Sequence, residues 1–402
     1  MNNCQKVSKH EEAGYQLGKV TAYLVFKMML TLTLFFFNVT IAKSSNSEVV
    51  KSSNREAVKF KYLFPQDYMA DPAAHVFNGR LYIYPSHDWD AGAEEDDDGG
   101  HFQMKDYHVL SFDDLEHEAT DHGVILDVKD VPWAEKQMWD NDVVEKDGRY
   151  YLIFSAKAYD GMFRLGVAVA DRPEGPFVAE KQPIRGSFSI DPCVFKDDDG
   201  SIYTYFGGLW GGQLQWRQPL AQGYEPIHGK HGDENGLADL GSEPTGKGEL
   251  FAHPDAPALP SAVVRMSDDM QFAEAPRQVI ILDKDGRPLK AGDPHRFFEA
   301  SWMHKYKDKY YFSYSTGDSH MLCYAIGDNP YGPFTYQGVI LTPVVGWTTH
   351  HSITEYKGKW YLFHHDSTPS DGCTWLRSLK VCELHYNPDG TIQTIEGSEE
   401  KD

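Results

Sequence analysis

The sequence predicts an all-β chain, a five-bladed β-propeller with four antiparallel strands in each blade. Three observations predict it. One hairpin pattern occurs five times, a third and fourth strand recur more loosely behind it, and no convincing amphipathic helix interrupts the series. A β-sandwich built from many hairpins is the alternative. The propeller is preferred because unit length and strand number agree across the copies.

The hairpins follow in order. The first is MADPAAHVFNGRLYIYPSHD (69–88), turning at Asn78-Gly79, and the second is WDNDVVEKDGRYYLIFSAK (139–157), turning at Asp147-Gly148. The third is SIDPCVFKDDDGSIYTYFGG (189–208), with Asp199-Gly200 at its turn. The fourth, FEASWMHKYKDKYYFSYSTG (298–317), turns at the less typical Lys307-Asp308, and the fifth, THHSITEYKGKWYLFHHDS (349–367), at Lys357-Gly358. Asn-Gly and Asp-Gly tolerate positive φ and favour two-residue hairpins. Behind the hairpins, GVAVADRPEGPF (166–177) matches CYAIGDNPYGPF (323–334), and DHGVIL (121–126) parallels YQGVIL (336–341). The turns are 69, 52, 108 and 50 residues apart. The long gap places an insertion within or after the third unit, including the Gly- and charge-rich segment 228–249.

Four segments are expected. Residues 1–42 read as a signal peptide with an extended n-region: Lys27 precedes an apolar core from Met28 to about Phe37, and Thr40-Ile41-Ala42 is a small-residue cleavage site. Residues 43–59 read as a disordered linker, 60–397 as the propeller and 398–402 as a tail. Export to the periplasm or the medium follows. The formal charge of −22 argues against nucleic acid and anionic membrane surfaces as partners. It is compatible with a neutral carbohydrate, for which 9 Trp, 23 Tyr and 22 Phe supply candidate stacking faces beside their sheet-packing role. Cys373 and Cys382 could pair, but no spacing demands it.

Eight or nine residues before each turn stand Asp71, Asp140, Asp191, Glu299 and His350. All are ionisable. If the first strand of each hairpin lines a central channel, these side chains meet at one end of it. Clustered carboxylates repel and are costly to bury, so folding alone gives little reason for the set. Proline lacks an N–H and suits the start of an inner edge strand. It also biases the residue before it to an extended conformation, so Asp71 and Asp191 are expected to be extended and stiffly held. Several carboxylates without a phosphate loop or dinucleotide motif point to glycoside hydrolysis. Glu299, among the aromatics of RFFEASW, suits the proton donor.

These hairpins and their acids resemble glycoside hydrolase family 43, over about residues 60–397. The resemblance implies a propeller enzyme that inverts anomeric configuration and releases arabinofuranosyl or xylosyl units from plant-type glycans. It implies Asp71 as general base, Glu299 as general acid and Asp191 as modulator of that acid's pKa. It also implies Trp139 and Asp140 at the sugar pocket, with Asp142 an equal match for the blade-two acid, and Arg377 pointing toward the site. A calcium ion in the channel is a further implication, with His350, or less readily His351, near it; histidine is an unusual ligand for so hard an ion. The chain departs from the family pattern at Trp139-Asp140-Asn141-Asp142. It also carries an acidic segment, DWDAGAEEDDDGG (88–100), that either walls the pocket or is a solvated loop. A glycan-binding propeller without catalysis and a retaining fructan-cleaving propeller are the rival readings.

Overall fold

The structure, a computed structural model, describes residues 59–397 apart from 97, 221–222, 227–253, 318 and 348. The expected signal peptide, nearly all of the linker, segment 228–249 and the tail lie outside the described residues. The rest forms the expected five-bladed propeller. Blade one holds Met69–Phe77, Arg80–His87, Asp106–Phe112 and Thr120–Asp127, from the channel outward. Blade two holds Asn141–Lys146, Arg149–Ala158, Phe163–Ala170 and Val178–Ala179. Blade three holds Cys193–Lys196, Ile202–Phe206, Ser261–Arg265 and Arg277–Val279, so the insertion lies between its second and third strands. Blade four holds Glu299–Tyr306, Lys309–Ser315, Leu322–Gly327 and Phe334–Leu341.

Blade five differs from a self-contained unit. Its first three strands are His351–Tyr356, Lys359–Asp366 and Ser378–Glu383, but the outermost is Lys61–Tyr62, which pairs antiparallel with Lys380 and Val381. The two ends of the folded region thus share one sheet. Leu63 and Phe64 continue from that strand into an apolar cluster with Phe112, Phe363 and Leu379 between blades five and one.

Four of the hairpins turn as expected. Asn78-Gly79, Asp147-Gly148, Lys307-Asp308 and Lys357-Gly358 all place both central residues at positive φ, the turn whose twist matches that of paired strands. The third copy departs from expectation. Its strands end at Lys196 and resume at Ile202, so Asp197–Ser201 is a longer loop, closed by Asp197 N–H donating to Ser201 O at 2.8 Å. Of the Asp199-Gly200 pair only Gly200 has positive φ.

The aromatic second strands join blade to blade. Tyr84 of blade one donates its hydroxyl to Pro173 O, and Tyr205 of blade three donates to Pro330 O, at 2.9 and 2.6 Å. Pro173 and Pro330 belong to the matching Pro-Gly turns of the following blades. Each buried hydroxyl keeps a partner while its ring fills the space between sheets, so interblade packing accounts for much of the aromatic content. Cys382 is a buried free thiol and does not pair with Cys373.

The inner strands are sheet edges, whose unpaired N–H groups need partners. Neighbouring blades supply them. Ser352 Oγ accepts from Ala74 N–H, Asp142 Oδ2 from Val194 N–H and Cys193 Sγ from Met303 N–H. Asp142 also meets His75 Nε2 at 2.5 Å. It therefore ties blades one, two and three together, and Asp140 is the blade-two acid that faces the channel mouth.

Candidate active site

The head of the inner strand is not extended. Asp71 has φ 52° and Asp191 φ 58°, and Ala300, just after Glu299, has φ 59°. The pairing register shifts between Ala70 and Ala73 and between Glu299 and Trp302, which marks bulges. The preference that proline imposes on its predecessor is overridden. An unpaired residue in a bulge is free of the ladder, and the left-handed backbone, costing about 1 kcal/mol, re-aims the side chain.

His350 is the centre of the site. Its Nδ1 stands 2.7 Å from Asp140 Oδ2 and 3.5 Å from Asp71 Oδ1. Its Nε2 stands 3.5 Å from Glu299 Oε1 and 3.8 Å from Asp191 Oδ2. The five head residues found by counting back from the turns therefore meet in one cluster, all of them largely buried. Burial alone would lower the imidazole pKa, but Asp191, Asp71 and Asp140 outweigh it and hold His350 protonated well above its usual range. His351 turns away, meets Ser313 Oγ at 2.6 Å, and is kept neutral by burial.

The carboxylates differ in environment. Burial would raise the pKa of Asp71, but Arg377, His350, His365 and the Ser86 hydroxyl together hold it below the usual carboxylate range. Arg377 forks across two acids: Nη1 and Nη2 donate to Asp71 at 2.8 and 3.1 Å, and Nε and Nη2 donate to Asp88 at 2.8 and 2.7 Å. Ser86 Oγ donates to Asp71 Oδ2 at 2.5 Å, and Asp71 N–H donates to His365 Nδ1 at 3.0 Å. Asp191 is pushed well up by burial and by Asp140 and Glu299, against the pull of His350. Its Oδ2 accepts from Ala300 N–H at 3.0 Å, which pins the backbone next to Glu299. Burial also pushes Asp140 up to about 6, although His350 pulls the other way. One carboxylate held ionised and others driven toward the protonated form are the raw material of acid–base chemistry.

The profile of Glycosyl hydrolases family 43 matches residues 64–233 and 256–392. The chain belongs to this family. It is 66% identical over 341 residues to a "Beta-xylosidase" of Xylanibacter ruminicola, covering 84% of this chain and all of that one. It is 61% identical over 343 residues to a "Xylosidase/arabinosidase" of Bacteroides ovatus, covering 85% of this chain and 98% of the relative. Among solved structures it resembles CoXyl43, a family 43 β-xylosidase/α-arabinofuranosidase from a compost metagenome, solved with xylotriose in a calcium-free form. There the TM-score is 0.77 and the identity 54%, over 85% of this chain and 98% of that one. The chain is thus a glycosidase acting on xylosyl or arabinosyl residues.

Within this family 43 site, the acidic segment after hairpin one is a largely solvated loop anchored at its two ends. Trp139 donates its indole N–H to Phe102 O at 2.9 Å, and its ring abuts Gly99, where a Cβ would collide. Trp139 is itself buried, as are Asp88, His101 and Met104, so the start and end of the segment are structural while Asp90 and Glu94 face solvent. Sequence reading missed Asp88, Ser86 and His365. A signal was present. Ser86 and His365 each stand seven residues past their turn glycines, Gly79 and Gly358, where the second strand runs beside the head of the first. It also missed Trp347, which is 40% exposed. Trp347 lies three residues before His350, with its ring 6.4 Å from that of Phe298, next to Glu299.

Proposed function

We propose that the enzyme is an exported, exo-acting, inverting glycosidase that releases β-D-xylosyl or α-L-arabinofuranosyl residues from plant-type glycans and their oligosaccharides. Asp71 is the general base, Glu299 the general acid and Asp191 the group that tunes and positions that acid. The observation that carries this reading is the placement of Asp71 and Glu299 on opposite nitrogens of His350, with only Asp71 clamped by an arginine. An inverting reading needs the two carboxyl groups ~6.5–9.5 Å apart, with room for a water, and two groups on opposite sides of one imidazole are compatible with that.

Each group has a task. Asp71, kept ionised, orients a water and takes its proton as the water attacks the anomeric carbon. Glu299 gives its proton to the departing glycosidic oxygen, so the leaving group lies on the Glu299 side. Asp191, through Ala300 N–H, holds the strand that carries Glu299. Arg377 acts through Asp71, which it locks in one orientation with Asp88 behind it. Asp140 and the wall formed by Trp139 shape the pocket for the sugar. The relatives named as acting on both xylosides and arabinosides support a pocket that accepts either sugar.

The residues at the centre also fit a calcium ion. Ligand atoms about 2.4 Å from one ion lie roughly 3.4 Å apart, close to the spacing of His350 Nε2 from Asp191. His350 Nε2 with Asp191 would hold it, which leaves Glu299 free to carry its proton and Asp71 free to take one. When bound it would supply the positive charge among these carboxylates that protonated His350 otherwise provides.

The experiment is a leaving-group comparison. Glu299→Gln is expected to cost about 10²–10⁴ in kcat/KM on xylobiose, and far less on a nitrophenyl xyloside, whose leaving group needs little protonation. Proton NMR of the first-formed sugar is expected to show the inverted anomer. Equal losses on both substrates, or a retained anomer, would overturn the assignment.

A further inference from the structure

A second cluster of ligating side chains lies on blade one, outside the catalytic centre. His87 ends the strand Arg80–His87, and Asp106 and His108 lie two apart on the next strand, so they share a face. Ser86 pairs with Tyr107, which sets His87 beside them. His87 Nδ1 is 2.6 Å and His108 Nε2 3.9 Å from the same oxygen, Asp106 Oδ1. The two rings stand 4.6 Å apart. Each histidine then turns its other nitrogen to a separate carboxylate. His87 Nε2 is 3.3 Å from Asp67 Oδ2, and His108 Nδ1 is 3.1 Å from Asp121 Oδ1.

We propose that His87 Nδ1, His108 Nε2 and Asp106 Oδ1 form a binding site for a zinc-type divalent transition-metal ion, oriented by Asp67 and Asp121. A hydrogen-bond network needs only one contact per histidine. Here both histidines face one carboxylate oxygen and turn their other nitrogen toward a second carboxylate, the arrangement that fixes tautomer and ring direction in metal centres. Two imidazoles and a carboxylate suit zinc, nickel or cobalt better than calcium or magnesium. Tetrahedral ligands on bonds of about 2.0–2.1 Å lie roughly 3.3 Å apart. The observed 2.6 and 3.9 Å bracket that spacing, so each side chain moves by less than an ångström. The ion takes the place of the proton between His87 and Asp106. His87 is partly exposed, which gives the ion a way in and leaves coordination positions for water. Three carboxylates around two imidazoles give the patch an excess of acidic groups that attracts a cation.

The test titrates Zn2+ alone into the full-length enzyme after removal of metals with EDTA, followed by calorimetry, with Co2+ absorption as a second readout. His108→Gln is expected to reduce the number of Zn2+ ions bound by one while leaving nitrophenyl xyloside hydrolysis unchanged. Asp121→Asn, which leaves all three ligands in place, is expected to weaken that same site by about tenfold or more. If His108→Gln fails to fold, Asp121→Asn decides alone. Wild-type enzyme that binds no Zn2+ at millimolar concentration, or isotherms that neither substitution alters, would overturn the proposal.

Discussion

Arg377→Lys tests the clamp on which the base depends. The substitution keeps a positive charge at the site but removes the planar fork, which spans Asp71 and Asp88 with four hydrogen bonds of 2.7–3.1 Å. One ammonium cannot reach both carboxylates in that geometry, so at least two of the four bonds are lost. At about 1.5–3 kcal/mol for each hydrogen bond to a charged group, less what water and lysine recover, folding stability falls by about 3 kcal/mol. If a similar amount of positioning is lost in the transition state, kcat/KM falls by about 100-fold. The pH dependence carries a sign. Asp71 is depressed in the folded enzyme, so its contribution to stability is fully present above the ordinary value of 3.8 and is lost as pH falls through the folded value. In the variant, burial counts for more, Asp71 binds a proton at higher pH, and the acid limb of kcat/KM moves upward. Chemical denaturation and a pH–rate profile on xylobiose measure both effects. A variant with wild-type kcat/KM and an unmoved acid limb would refute the role of Arg377 in holding Asp71.

Further outcomes follow from the same contacts. Tyr205→Phe removes the bond to Pro330 O and is expected to cost about 1 kcal/mol of stability with kcat unchanged, as thermal unfolding and initial rates on a nitrophenyl xyloside will show. Trp347→Ala removes an exposed ring on the leaving-group side; it is expected to raise KM for xylotriose by about three- to tenfold and to leave the stability curve within about 0.5 kcal/mol. Deleting residues 59–66 removes the outer strand of blade five together with Leu63 and Phe64. Truncated protein is expected to melt at least 10 °C lower and to aggregate, because an unpaired edge and an apolar seam are exposed together, with light scattering as the check.

Much of this protein was legible in its residues. The blade count follows from a hairpin that repeats locally, and turn chemistry and strand alternation need no distant partner to be recognised. The five head residues were found by counting back from those turns, because one strand length in every blade brings the same position to the channel mouth. What the sequence could not determine was who meets whom. Arg377 and Asp71 lie 306 residues apart, and Asp71 and His365 lie 294 apart. The place of His365 seven residues past Gly358 puts it beside a strand head, but does not say which partner it meets. Asp140 and Asp142 are equivalent on paper, but Asp140 stands just ahead of the inner strand, at the mouth, while Asp142 lies within that strand and bonds into the seams between blades. The left-handed backbone at Asp71 and Asp191 runs against proline's own preference, and at Asp71 the bulge in the assembled sheet imposes it. Ring closure is also tertiary: Lys61–Tyr62 is too short to be read as a strand, and it becomes one because the edge of Ser378–Glu383 needs its hydrogen bonds met. Local pattern determines which residues can be brought together. Closure of the ring decides their distances, their protonation and hence their chemistry.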